Sequence, residues 1–237
     1  MRDETFIPSG FLPIFTSHDV EVLLIDHTTL DSNDGDVSLL PPDERDRYRS
    51  YQVTTRGRQF SRSRMALRQL LAARCGLSPQ DIQFSYGPNG KPALQLDSAG
   101  SGHYHFNLSH SRSFTGIAIA SHPIGLDIEC PLPIELSPML LEQVLSPREN
   151  ALADQMSEQQ RMDWFYQCWV TKEALLKASG FGITVGMHKI DLGAKPPFPA
   201  RFPLQHPLLG HELWQVERIA HPELQIVIAS SPSHDFC

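Results

Sequence analysis

The sequence predicts an α+β protein made of two similar halves, residues 1–121 and 122–237, on three observations. Short segments of alternating hydrophobicity occur on both sides of residue 122. Each half holds a long segment with apolar residues at helical spacing. In each half the elements run in the order strand, helices, then a series of strands. No plain sequence repeat links the halves, so their similarity rests on element order alone.

In chain order, residues 19–26, DVEVLLID, alternate as a strand, and 82–86, 92–96, 104–108 and 115–120 are further short strands. Before the second of these lies FSRSRMALRQLLAARCG, where Phe60, Leu67, Leu70, Leu71 and Cys75 fall at helical spacing. Ser61 or Ser63 can cap this helix and Gly76 can end it. The segment 87–92, GPNGKP, is a loop, because its glycines and prolines break both periods.

The second half opens with a strand at 123–129, PIGLDIE. LSPREN then offers Ser146 as N-cap, Pro147 at the first helical position and Glu149 to close a capping box. From 158 to 179, Met162, Phe165, Trp169 and Leu176 form an apolar stripe that Cys168 and Leu175 widen, and Gly180 stands where the helix would end. MHKIDLG, a proline-rich loop at 193–208 and the strands HELWQVERI and LQIVIAS follow.

At 237 residues the chain can bury a substantial core, and 41% hydrophobic with 20% charged residues is ordinary for a soluble globular protein. No window approaches the roughly 18 to 20 apolar residues of a membrane span, so no membrane association is expected. MRDETFIPSGFLP lacks the basic-then-apolar pattern of a secretory signal, which makes the cytoplasm the expected compartment. The four cysteines are scattered without metal-binding spacing, so free thiols are expected. A net charge of −7 argues against a nucleic-acid partner, yet nine arginines lie between Arg45 and Arg74 and could steer a smaller anion to that segment.

The chemistry concentrates in four motifs. Strand alternation in PIGLDIE sends Ile124, Leu126 and Ile128 to one face and Gly125, Asp127 and Glu129 to the other. Two carboxylates then sit about 7 Å apart along one face, an arrangement that a cation between them would relieve. WVTKEALLKASG sets Glu173 and Lys177 four apart on one helix face, with Lys172 beside the glutamate. On a solvated face this is an ordinary ion pair. If the helix packs across GLDIE, Glu173 instead joins Asp127 and Glu129 in a cluster suited to a hard cation such as Mg2+, with Lys177 and Lys172 facing a bound phosphate. In FNLSHS, Asn107, Ser109 and His110 stand near a strand end, where a turn can present side chains and N–H groups to an anion. NGKP places Lys91 between Gly90, which permits close backbone approach, and Pro92, which stiffens the loop.

In this order and at these separations, GPNGKPAL, FNLSHS, IGLDIE and WVTKEALLKASGFGI resemble the motif set of the Sfp-type 4′-phosphopantetheinyl transferases, in the holo-acyl-carrier-protein synthase superfamily. The core of the resemblance runs from Arg64 to Ile183. It implies a monomer of two α+β halves related by a pseudo-twofold axis, with coenzyme A in the cleft between them. It also implies that Asp127, Glu129 and Glu173 hold Mg2+, and that His110 and Lys177 contact the coenzyme A pyrophosphate. Ser109, Gly90, Lys91 and Pro92 match segments around the adenosine and its 3′-phosphate, and Arg68 matches an arginine that contacts the nucleotide. Arg64, one turn earlier, is a helper on spacing alone, and Arg49, Arg56 and Arg58 match no assigned position.

The implied reaction is attack by a serine hydroxyl of an apo acyl or peptidyl carrier protein on the β-phosphorus of coenzyme A, which transfers phosphopantetheine and releases adenosine 3′,5′-bisphosphate. Glu173, directly or through a metal-bound water, would accept the serine proton, while Mg2+, His110 and Lys177 would stabilise charge on the phosphoryl oxygens and leaving group. The carrier could serve fatty-acid, polyketide, or nonribosomal-peptide and siderophore synthesis. Two rivals differ in chemistry: a Mg2+-dependent phosphohydrolase, which would release phosphate, and a carrier-binding homologue without turnover.

Overall fold

A computed structural model of the chain describes residues 6–29, 37–51, 54–95, 104–181, 186–193, 201–206 and 210–230; of 201–206 and 210–213 it describes the backbone only. Gly182 and Ile183, which end the fourth motif, and Cys237 lie outside the described residues.

The alternation in VEVLLID is realised as β2 (Val20–Asp26), which lies between β1 (Leu12–Thr16) and β6 (Phe114–Ala120). β5 (His105–Ser111) closes this first sheet, in the order β1-β2-β6-β5. The second sheet runs β7-β10-β9-β8, from β7 (Ile124–Glu129), β8 (Arg201–His206), β9 (Gly210–Ile219) and β10 (Gln225–Ser230). Each half therefore contains the same unit: a strand, a long helix, and a hairpin whose last strand pairs with the first. All pairings in both sheets are antiparallel. A separate hairpin, β3 (Gln83–Tyr86) and β4 (Pro92–Gln95), precedes β5 in the chain.

Several elements depart from the sequence expectation. The helix of the first half, α2 (Thr55–Cys75), begins well before Ser61. Its N-cap is Thr54, whose hydroxyl accepts from the Gly57 amide, while Ser61 and Ser63 lie inside and turn their hydroxyls back onto the carbonyls of Arg58 and Gln59. A short helix, α1 (Pro42–Ser50), precedes it. Gly76 ends α2 at φ 67°, a left-handed conformation that glycine adopts without steric cost. The expected capping box appears at α4 (Pro147–Ala153), after α3 (Pro138–Val144). The long helix α5 (Glu158–Ser179) carries its own box, Ser157 with Gln160. Part of the expected proline-rich loop is strand β8, where Pro203 is tolerated because this edge strand pairs on one side only.

Three apolar clusters follow from the strand periods. Leu23 and Ile25 of β2 face α2, whereas Val22 and Leu24 join Ile124, Leu126, Ile128, Ile226 and Ile228 in a cluster shared by both sheets. Val227 and Ala229 turn the other way, onto α5. The two sheets thus pack on each other, with a long helix against the opposite face of each. Among the described residues no helix is long and apolar enough to cross a membrane, and Cys75, Cys130 and Cys168 are free thiols.

A candidate active site at the seam between the halves

Where the sheets meet, β5 runs beside the open edge of β7. An edge strand presents unpaired N–H groups, and here side chains satisfy them. Asn107 Oδ1 accepts from the Leu126 amide at 2.9 Å, Ser109 Oγ from Ile128 at 3.2 Å, and Ser111 Oγ from Cys130 at 3.0 Å. This corrects the expectation that these polar residues sit at a turn: they stand along β5, which continues to Ser111. Their period of two was visible in the sequence as N-x-S-x-S.

Across the seam, α5 lies directly on β7. A Cβ on Gly125 would come within 2.0 Å of the Ala174 carbonyl oxygen and 2.4 Å of the Ala178 nitrogen, so only glycine allows this approach. The closeness brings Glu173 and Lys177 over Asp127 and Glu129. Lys177 Nζ donates to Asp127 Oδ1 at 2.7 Å and to Ser109 Oγ at 3.0 Å, and the Ser109 hydroxyl donates to the same Asp127 oxygen at 2.9 Å. Ser111 donates to Glu129 Oε2 at 2.9 Å. Lys177 is therefore the partner of the strand aspartate, and the surface pairing with Glu173 suggested by their spacing is replaced by a contact across the fold.

All three carboxylates titrate above their ordinary range. Burial is the first cause for each, and their mutual repulsion adds to it for Glu129 and Glu173, while Lys177 opposes it. Asp127 Oδ2 is buried and has no hydrogen-bond partner. Among the described residues, no three His, Cys, Asp or Glu side chains form a group that could hold a metal ion as they stand. The donor chemistry nonetheless fits a hard cation: an excess of carboxylate oxygens, one of them orphaned and desolvated, beside a single ammonium.

His110 takes its place from the first half. Its Nδ1 lies 2.7 Å from Thr115 Oγ1, which also lies 2.9 Å from His27 Nε2 and 3.2 Å from Ser63 Oγ. Burial, and then the charges of Lys177 and Arg64, lower the His110 imidazolium to about 4, so the ring is neutral at physiological pH although part of it is open to solvent. Nothing in the sequence marked Thr115 or His27 as its supports.

Other candidates stand elsewhere. Lys172 is fully buried on another side of α5, where it binds the Val144 carbonyl and pairs with Glu149, so it faces no phosphate site. Glu149 also accepts from the amides of Ser146 and Leu192, which makes this pair the clamp that holds α4 to α5. Arg68, expected at the nucleotide, is 3% exposed and does not line the cleft. Its guanidinium binds Glu44 and the carbonyls of Pro79 and Ile82 beneath the Phe84 ring. Arg64, expected only as a helper, bonds Glu44 and the Tyr86 hydroxyl and is close enough to His110 to depress its proton affinity.

Between the halves, at the C-terminal end of α5, opens a cleft of about 890 Å³, lined by Tyr86, Lys91, Pro92 and Phe106 from the first half and by Ser179 and Phe181 from the second; the three carboxylates are not in its lining. Gly90 makes the turn beneath it at φ 77°, donating to the Gly87 carbonyl at 2.9 Å. The ammonium of Lys91 points to the end of α5, where it donates to carbonyl oxygens.

Fold and site together define a class: two α+β halves that bring carboxylates, lysine and histidine to a common seam, with a cleft large enough for a nucleotide between the halves at the end of α5. A family model described as the 4′-phosphopantetheinyl transferase superfamily matches residues 123–225, and one described as 4′-phosphopantetheinyl transferase, N-terminal, matches residues 30–123. HetI, a 4′-phosphopantetheinyl transferase of Nostoc, is 33% identical over 163 residues, covering 68% of each chain. The 4′-phosphopantetheinyl transferase Sfp of Bacillus subtilis is 28% identical over 163 residues, 68% of this chain and 70% of its own. A Synechocystis protein provisionally given the same name is 35% identical over 157 residues, 66% of this chain but 63% of its own length. The chain belongs to the 4′-phosphopantetheinyl transferase family and is of the Sfp type.

Proposed function

We propose that the protein transfers the 4′-phosphopantetheine group of coenzyme A to a serine of an apo carrier protein in a Mg2+-dependent reaction. The observation that carries this reading is the packing of Glu173 and Lys177 over Asp127 and Glu129 at the seam, in a chain of this family. Asp127, Glu129 and Glu173 would hold the Mg2+, whose chemistry is to neutralise phosphoryl oxygens as charge moves onto the leaving group.

The protein's own groups supply the rest. Lys177 stands at the seam with its ammonium on Asp127 and Ser109, where it can also donate to a phosphate oxygen. His110, held by Thr115 from behind, presents its other nitrogen as a contact for the pyrophosphate. Glu173, whose proton affinity is raised by burial and by its acidic neighbours, serves as acceptor for the serine proton, directly or through a water. The serine oxygen forms a bond to the phosphorus that carries pantetheine, the bond to the bridging oxygen breaks, and adenosine 3′,5′-bisphosphate leaves with that oxygen. The backbone of the Gly90 to Pro92 turn, with Tyr86 and Phe106, would form the adenosine side of the cleft, and Ser109 acts through Asp127 and Lys177. The working unit is a monomer in the cytoplasm.

Incubation with coenzyme A, Mg2+ and a panel of apo carriers from fatty-acid, polyketide and nonribosomal-peptide systems, read by intact mass spectrometry, tests the proposal. A phosphopantetheine mass gain on at least one carrier is expected. Release of inorganic phosphate without carrier modification would establish the hydrolase instead.

A further inference from the structure

We propose that the β3–β4 turn is a latch between the two halves, with Lys91 and Asn89 as positioning residues that fix the end of α5 and, through it, Lys177. A helix leaves its last four carbonyls without intrahelical partners, and the final turn frays unless something binds them. Here the partner comes from the other half of the chain. Lys91 Nζ donates to the carbonyl oxygens of Lys177, of Ala178 at 3.0 Å and of Ile124, the first residue of β7, at 3.3 Å. Asn89 Nδ2 donates to the Gly180 carbonyl at 3.0 Å. Two side chains of one tight turn thus hold three carbonyls at the end of α5 and one at the start of the strand beneath it.

An ammonium has three N–H donors, and three carbonyls occupy them. A 3′-phosphate could be bound only at the expense of one of these bonds. The placement also agrees with the helix dipole, since the C-terminal end of α5 carries partial negative charge at the cleft, and Lys91 offsets it. Burial lowers the Lys91 ammonium to about 8, as expected for a cation held by carbonyls rather than by a carboxylate. Lys177 is gripped twice, by its carbonyl through Lys91 and by its ammonium through Asp127 and Ser109. Loss of the latch would leave the side-chain bonds but free the turn that aims them.

The kinetic consequence rests on the transferase reading; the structural one does not. The test compares wild type with Lys91→Met, which keeps the aliphatic stem and removes the donors, Lys91→Arg, which restores donors, and Asn89→Ala. Amide hydrogen exchange of residues 176–180 is measured by mass spectrometry without substrate. Lys91→Met should speed exchange there at least about tenfold, Lys91→Arg should recover part of the protection, and Asn89→Ala should give a smaller increase. Unchanged exchange in Lys91→Met overturns the latch; if that variant does not fold, unchanged exchange in Asn89→Ala does so. In the kinetic arm, Lys91→Met should lower kcat while keeping the wild-type ratio of KM values for coenzyme A and dephospho-coenzyme A. Collapse of that ratio at unchanged kcat would make Lys91 a 3′-phosphate ligand and overturn the proposal. If wild type modifies no carrier at all, the transferase reading fails while the exchange arm still decides the latch.

Discussion

The two halves place a long helix against the strand that opens their shared unit, yet the faces beneath the helices differ completely. Under α2, strand β2 offers Leu23 and Ile25 to the apolar core, and Glu21, the one charge on that face, pairs with Arg74 of α2. Under α5, the corresponding positions of β7 are Gly125, Asp127 and Glu129. The first arrangement is a scaffold held by apolar burial. The second gives up that burial to hold charge, and the close approach at Gly125 keeps water scarce enough to perturb the carboxylates. Both helices also carry a buried cation to carboxylate anchor, Arg64 and Arg68 on Glu44 in one half and Lys172 on Glu149 in the other. Anchoring is common to the halves, and the reactive acids belong to the second.

The largest break in this comparison removes the acids. Asp127→Ala and Glu173→Ala should each reduce carrier modification to background while the chain stays folded, because each deletes an oxygen donor from a site that destabilises itself by repulsion. Intact mass of the carrier at moderate Mg2+ and a thermal melt, taken on the same sample, check both halves of the statement. Modification near the wild-type rate would remove these residues from the metal site.

Lys177→Gln comes next. Gln keeps an N–H donor on a side chain one atom shorter while the charge is lost, and the saturated rate should fall about 10²-fold, the scale of a lost oxyanion donor. The structure adds a stability effect that the sequence did not suggest. Lys177 partners the buried Asp127, so its loss should lower the midpoint by more than the ~0.3–0.5 kcal/mol of an exposed helix pair. Adding Asp127→Asn should restore the midpoint and not the rate. Equal midpoints for the single and double variants would show that the pair contributes nothing to folding.

How much of this was legible follows from the range of the interactions. Strand and helix periods, the Ser146 box, the Gly76 stop and the two faces of β7 are local, and the sequence showed them. The approach of Glu173 to Asp127 and Glu129 was only conditional in the sequence, since it depends on α5 packing across β7, a contact that Gly125 permits against Ala174 and Ala178. The arginines were harder. Neither spacing nor resemblance tells whether a guanidinium on α2 turns outward to a ligand or inward to Glu44, which sits on a helix not anticipated; Arg68 is buried on Glu44. Lys172 failed for the same reason, its partner Glu149 being 23 residues away. Thr115 reads as one more β-branched strand residue until His27, 88 residues earlier, is seen beside it.

Two core substitutions sharpen the contrast between the strands. Gly125→Ala should destabilise by about 3 kcal/mol or more, beyond ordinary overpacking, because the new carbon meets backbone that cannot rotate away. Arg68→Ala should cost about 3 to 5 kcal/mol by leaving Glu44 buried with one partner fewer, and should leave the coenzyme A requirement of the folded fraction unchanged. Urea denaturation with substrate titration separates these outcomes; a raised coenzyme A requirement at unchanged stability would return Arg68 to the nucleotide site.

The last effect concerns acid, where the halves should respond with opposite sign. In the second half the folded-state values of Asp127, Glu129 and Glu173 are raised, so the folded protein binds protons more readily than the unfolded chain there, and these groups favour folding as pH falls through that range. In the first half His27 is lowered from 6.5 to about 4, chiefly by burial. Between those values the unfolded chain takes up a proton that the folded protein refuses, so stability present above pH 6.5 is lost as pH drops towards 4, by up to about 1.4 kcal/mol per pH unit for this buried histidine. His27→Gln can keep a hydrogen bond to Thr115 without titrating, and it should flatten the fall in thermal midpoint across that window while leaving the midpoint at pH 8 nearly unchanged. Mg2+ should do the complementary thing, raising the midpoint at pH 8, where the carboxylates are ionised, and losing that effect as they protonate. A His27→Gln profile parallel to wild type would show that the histidine is charged in the folded protein, and the neutral Thr115 network would have to be redrawn.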